Sequence, residues 1–211
     1  VQYIIDSRII NTGQVCNCAE RVYVHSSISE KFTQRLAQKM SEVRFGNTLE
    51  HNYDMGPLIN KQAQEHVHNH VKKAEAQGGV IKCGGEIPEQ QGYFYPATII
   101  TKCENSMDIV QEEVFGPVLP IVEFDTFEEA IELANDSKYG LTSSIYTESI
   151  QKAFTAVEKL EFGETYINRE NFEAIQGFHA GVKQSGIGGA DGKHGLEEYL
   201  RTHIVYMQLD E

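Results

Sequence analysis

Short β-prone runs alternate with amphipathic helical runs along most of this chain, and that alternation restricts it to crossover units built around a mainly parallel sheet. Val1, Ile4, Ile5 and Ile9 recur at helical spacing, and Val22, Tyr23 and Val24 predict the first strand. Ser27 and Glu30 form a capping-box pattern ahead of Ile28, Phe32, Leu36, Met40 and Val43, which predict a helix with that stripe inward. Another helix starts at Asn60, turns Ala63, Val67, Val71 and Ala74 inward, and stops at Gly78-Gly79. Val80 to Cys83 and Ala97 to Thr101 read as strands, separated by turn-forming Gly84-Gly85 and the stretch from Pro88 to Gly92. Pro117 to Phe124 is a further strand. Thr126 with Glu129 caps a helix whose apolar face is Phe127, Ala130, Ile131 and Ala134. Ser143 to Tyr146 and Glu164 to Asn168 are strands flanking a helix that carries Ile150, Phe154, Val157 and Leu160 and ends at Gly163. The expected fold is α/β, one principal domain with a mainly parallel sheet covered by helices on both faces.

The last part differs in character. Residues 169 to 195 are rich in Gly, His and polar side chains and predict a long functional loop at the mouth of the sheet. A short helix is expected around Leu196 to Leu200, and His203 to Leu209 reads as a terminal strand that needs an edge to pair with.

Composition narrows the function classes. The 211 residues carry 31 acidic against 18 basic side chains, a formal charge of −13, without a basic cluster. Repulsion from phosphates therefore argues against nucleic acid or an anionic membrane surface as partner. No apolar run reaches bilayer-spanning length, and Val1-Gln2-Tyr3 lacks the basic start of a signal peptide. The chain begins without Met inside a helical pattern, as a domain cut from a longer protein would. Cys16 and Cys18 are too close for an unstrained bridge, so these two thiols with Cys83 and Cys103 are expected to be reduced, in a cytoplasmic protein.

Cys16 is the first candidate for chemistry, because Gly13-Gln14 turns the chain between a helical run and a strand and leaves that thiol at a junction. A packed, inert thiol is the competing reading, and Cys18 fits it better. His66, His68 and His70 place two imidazoles on one helical face, yet no carboxylate or Cys completes a metal site by sequence, so they read as polar surface and no metal is expected. The run from Gly186 to Gly192 lacks the third Gly of a dinucleotide fingerprint and reads as a structural turn.

Four stretches occur in a telling order: Asn11-Thr12-Gly13-Gln14-Val15-Cys16, Glu112-Glu113-Val114-Phe115-Gly116-Pro117, Asn135 to Leu141, and Lys183-Gln184-Ser185-Gly186-Ile187-Gly188. Together they resemble the aldehyde dehydrogenase superfamily over nearly the whole chain. The runs Cys16-Asn17-Cys18-Ala19-Glu20-Arg21 and Asn168 to Ala174 look most like members that oxidise lactaldehyde and glycolaldehyde. The resemblance implies that Cys16 attacks the aldehyde carbonyl and that its backbone N–H helps hold the oxyanion. It implies that Glu113 bonds the nicotinamide ribose of NAD or NADP, with NAD the expected cofactor, and that Phe115 lies against the nicotinamide ring. A carboxylate can accept from two hydroxyls at once and an aromatic edge restrains a planar ring, although an acidic turn before a core Phe is the bland alternative. Asn17, Glu173 and His179 are the candidates for reading a hydroxylated aldehyde, since buried donors and acceptors favour a substrate with its own hydroxyl. Arg169 and Glu170 share their loop. Asp191 departs from the Glu usual in the family.

The family's general-base Glu, its Asn oxyanion donor and its dinucleotide-binding domain precede the Cys motif, and nothing in this sequence matches them. Residues 1–201 are then the catalytic domain and 202–211 a C-terminal oligomerisation strand, in a homodimer or homotetramer, and the chain alone is expected to be inactive. Two alternatives stay open: a relative that passes its thioester to CoA, and a non-enzymatic metal or redox module built on Cys16 and Cys18 with Cys83, Cys103 or His.

Overall fold

The computed structural model describes residues 1–210. Helix α1 (Gln2–Ile9) runs into a short 3-10 turn (Ile10–Gly13), followed by β1 (Val22–His25), α2 (Ser26–Ser41) and α3 (Lys61–Ala76). Then come β2 (Val80–Cys83), β3 (Thr98–Thr101), α4 (Asp108–Gln111), β4 (Val118–Phe124) and α5 (Phe127–Asn135). The remainder is β5 (Tyr139–Gly140), β6 (Thr142–Ile145), α6 (Ile150–Lys159), β7 (Glu164–Ile167), β8 (His179–Ala180), β9 (Val182–Lys183), β10 (Gly189–Ala190) and α7 (Gly192–Glu197).

The main sheet has the order β1-β4-β3-β2, with β1, β4 and β3 parallel and β2 antiparallel at one edge. Val22 pairs with Ile121 and Ile99 with Leu119, and strand alternation sends neighbouring side chains to opposite faces. On one face Ile100, Val118 and Val122 pack with Val67, Val71 and Ala74 of α3 and with Ile109 and Val110 of α4. On the other, Ile99, Leu119 and Ile121 pack with Ile5 of α1 and with Leu36 and Met40 of α2. The sheet is therefore covered on both faces, as the strand and helix patterning predicts. Strands β6 and β7 form a separate parallel pair, Thr142 opposite Glu164 and Ile145 opposite Ile167.

Several local expectations need correction. The N-cap of α2 is His25, whose side chain accepts from Ser27 N–H, and not Ser27 itself. Ser29 is then turned inward to bond Glu123, so the helix buries Ser29, Thr33, Leu36 and Met40 and leaves Ile28 exposed. In α6 the helix buries Ala153 and Ala156, while Ile150, Phe154 and Val157 stay exposed. The small alanines allow close approach on the buried side of the helix, which a large residue would block. The polar stretch after β7 is not a bare loop, because β8 pairs with β10 and β9 with β5. The last helix ends at Glu197, earlier than expected, and residues 201–210 form no strand and are exposed. A strand requires a ladder partner, and the described residues offer none to this segment. The Thr126–Glu129 capping box and the Asn60 cap are present.

Candidate active site

The thiol sits on a strained turn. Asn11, Thr12 and Gly13 follow one another with φ of 46°, 60° and 75°, left-handed backbone that a β-branched Thr rarely adopts. Surrounding bonds hold it there. Thr12 Oγ1 donates to Gly56 O at 3.1 Å, Asn11 Nδ2 to Gln14 O at 3.1 Å, and Gln14 Oε1 accepts from Ile59 N–H at 2.9 Å. Gly is required at position 13, because a Cβ there would run into the Gly116 carbonyl. Cys18 N–H then closes on Val15 O at 3.2 Å, which leaves Cys16 exposed and buries Cys18. Burial pushes the Cys18 thiol pKa up, although Arg8 pulls against it, so Cys18 is held protonated in the fold.

Cys16 opens on a cleft of about 1230 Å³ between the free edge of β1 and the β6 strand, where Tyr23, Ile131, Ser144, Glu113 and Asn171 also line the wall. Glu113 lies on the loop before β4. Its carboxyl is pushed above the usual range by partial burial and then by neighbouring Glu20, with Arg8 opposing. Phe115 has φ of 52° and a ring that is 40% exposed, while its N–H donates to Glu20 Oε1 at 3.1 Å.

Arg8 joins these two loops. The side chain is 0% exposed; Nη1 donates to Ala19 O at 2.6 Å and to Glu20 Oε2 at 2.8 Å, and Nη2 donates to Gly13 O at 3.1 Å and to Gly116 O. Burial is the largest influence and opposes its charge, but Glu20 together with Cys18 and Glu113 holds its pKa above the ordinary value.

None of the expected substrate residues lines this cleft, and neither does Phe115. Asn17 is buried and its Nδ2 donates to Glu173, so those two meet as a pair. Asn171 fastens Asn17 to the cleft wall: its Nδ2 donates to Asn17 O and to Thr142 Oγ1 at 3.0 Å, and its Oδ1 accepts from Ser7 Oγ at 2.8 Å. His179 stands apart, its Nδ1 bonded to Glu164, whose other oxygen accepts from the Tyr166 hydroxyl. Sequence reasoning missed Arg8, Asn171 and Glu164. Only Arg8 left a signal, as a charged side chain in the apolar run of α1.

The His segment also lies nearer the site than expected. His66 Nε2 is 3.4 Å from Glu113 O, and the His66 and His70 rings are 4.5 Å apart. Among the described residues no three His, Cys, Asp or Glu side chains gather as a metal site. All four cysteines are free. No helix among the described residues is long and apolar enough to cross a membrane.

Residues 1–205 match the sequence profile described as the aldehyde dehydrogenase family. The chain belongs to the aldehyde dehydrogenase family. It is 58% identical over 209 residues to lactaldehyde dehydrogenase of Escherichia coli (strain K12), a match covering 99% of this chain and 44% of that relative. A crystal structure of the E. coli lactaldehyde dehydrogenase superposes with a TM-score of 0.96 at 57% identity, again over 99% of this chain and 44% of the other. A betaine aldehyde dehydrogenase from Staphylococcus aureus, solved in complex with NAD+, superposes with a TM-score of 0.90 at 39% identity over 94% of this chain and 40% of its own. The aldehyde dehydrogenase chain described here thus spans less than half the length of these relatives. The likeness accounts for the parallel-dominated α/β architecture seen above.

Proposed function

We propose that this chain is the thiol-bearing catalytic part of an NAD(P)-dependent aldehyde dehydrogenase that oxidises a small hydroxylated aldehyde, such as lactaldehyde or glycolaldehyde, to its acid. The observation that carries the reading is the juxtaposition of an exposed Cys16 on a strained turn with the Glu113–Phe115 loop, the two fastened together by Arg8 and Glu20. A thiolate is both a good nucleophile and a tolerable leaving group, which suits a reaction that must first bond the carbonyl carbon and later release an acid. Cys16 attacks to give a thiohemiacetal, and its own backbone N–H is the donor assigned to the developing oxyanion. A nicotinamide dinucleotide, when bound, supplies the hydride acceptor. The residues present fit such a group. Glu113 offers a carboxylate to ribose hydroxyls, and Phe115 offers an exposed ring on a backbone pinned by Glu20. NAD is the expected dinucleotide, in keeping with the NAD+ complex of the S. aureus relative.

Substrate reading falls to Asn17, Glu173 and His179, each already held by a polar partner. Their polarity favours an aldehyde with its own hydroxyl, because an alkyl analogue leaves donors and acceptors unpaired. In the full-length enzyme Cys16→Ala is expected to abolish oxidation while cofactor binding persists, and Cys18→Ala to be mild; equal losses for both would reject the assignment. The chain alone is expected to show no turnover, since nothing in its sequence matches the family's general base or dinucleotide-binding domain. NAD(P)-dependent oxidation of glycolaldehyde by the pure chain would overturn that.

A further inference from the structure

We propose that Arg8, held by Glu20, is a positioning residue that sets the thiol turn against the Glu113–Phe115 loop, so that nucleophile and cofactor-facing groups keep a fixed relation. The proposal rests on the functional reading of Cys16 and of that loop. Arg8 reaches far more than a counter-ion. Glu20 alone cannot satisfy the five N–H donors of a buried guanidinium, and its fork also donates to three backbone carbonyls. Gly13 and Ala19 flank the thiol on either side, and Gly116 follows Phe115 directly. Glu20 continues the link, because the carboxylate that pairs with Arg8 also accepts from Phe115 N–H. The backbones meet at glycines: a Cβ at Gly13 would strike both the Gly116 carbonyl and Arg8 Nη2. Only a planar, multiply donating cation bridges that many acceptors at once. A lysine brings the same charge on one flexible nitrogen and cannot span the two loops.

The test uses the full-length enzyme with Arg8→Lys and Glu20→Gln, and with Cys16→Ser as the control on the underlying reading. Steady-state kcat, the KM for the nicotinamide cofactor and the KM for aldehyde are measured per folded molecule, the folded fraction being taken from near-UV circular dichroism. Arg8→Lys is expected to lower kcat about 100-fold, the loss that a misplacement near 1 Å produces, and to raise the cofactor KM while the aldehyde KM holds. Glu20→Gln keeps an acceptor for Phe115 N–H but loses the charge, and is expected to lose about tenfold in kcat. Wild-type kcat and cofactor KM per folded molecule in Arg8→Lys would overturn the proposal. If that variant does not fold, the same outcome in Glu20→Gln overturns it. Full activity in Cys16→Ser would instead defeat the reading of the nucleophile, so the two failures are distinguishable.

Discussion

Glu113 faces opposing demands. A carboxylate that accepts from hydroxyls must be ionised, yet partial burial and the adjacent Glu20 raise its folded pKa above the ordinary 4.5. The folded state therefore binds its proton more tightly than the unfolded state does. The stability contributed by this group is present below pH 4.5 and is lost as pH rises through the folded pKa. Glu113→Gln in the full-length enzyme is expected to gain in Tm over wild type as pH climbs above that window, while its cofactor KM rises. A Tm difference that does not widen with pH would show that the carboxyl is not penalised by its surroundings. His179 and Glu173 give a second residue-scale expectation. Replacing either with Leu should cost a 2-hydroxyaldehyde about 1–3 kcal/mol more than an alkyl aldehyde in kcat/KM, because a partner of the substrate hydroxyl is removed. An unchanged ratio of the two kcat/KM values would show that these side chains do not read the hydroxyl. Glu164→Leu unties His179 and should move the same ratio in the same direction.

Among elements, α6 separates what periodicity reveals from what packing decides. The spacing of Ile150, Phe154 and Val157 finds the helix correctly, but the buried side is the alanine side, at 2% exposure for Ala153 and 0% for Ala156. Hydrophobicity alone cannot announce that close approach, and not side-chain area, orients a helix. Ala156→Leu is accordingly expected to destabilise by about 1–3 kcal/mol through overpacking, whereas Val157→Ser should be near neutral in denaturant unfolding. The opposite ranking would mean the helix sits the other way round. In α2 the same kind of error came from a cap: Ser27 and Glu30 have the right pattern, but His25 takes the Ser27 N–H first and turns Ser29 toward Glu123. Elements with unambiguous stop signals, such as α3 between Asn60 and Gly78, were legible, and so were the buried strands β3 and β4. At the site, the thiol turn and the Glu113–Phe115 loop were readable as motifs. The bonds that join them were not, because Arg8 to Gly116 and Asn17 to Glu173 connect residues far apart in sequence.

For the molecule as a whole, residues 201–210 are exposed and outside any strand, with Ile204, Val205, Tyr206, Met207 and Leu209 all open to solvent. Such a segment is stable when another chain covers it. Deleting residues 202–211 from the full-length enzyme is therefore expected to lower its assembled mass in light scattering, and an unchanged mass would exclude the tail as a subunit contact. The separation between the thiol and its polar backing has a different consequence, one that concerns time. Asn17 bonds Glu173 across 156 positions, so at about 5–20 residues per second a ribosome needs roughly 8–30 s after making Cys16 before that backing exists. Through that interval the nascent chain carries a thiol without its finished surroundings, open to oxidants and to stray electrophiles. A slow patch of translation between Cys16 and Glu173 would lengthen that exposure without altering a single residue of the product.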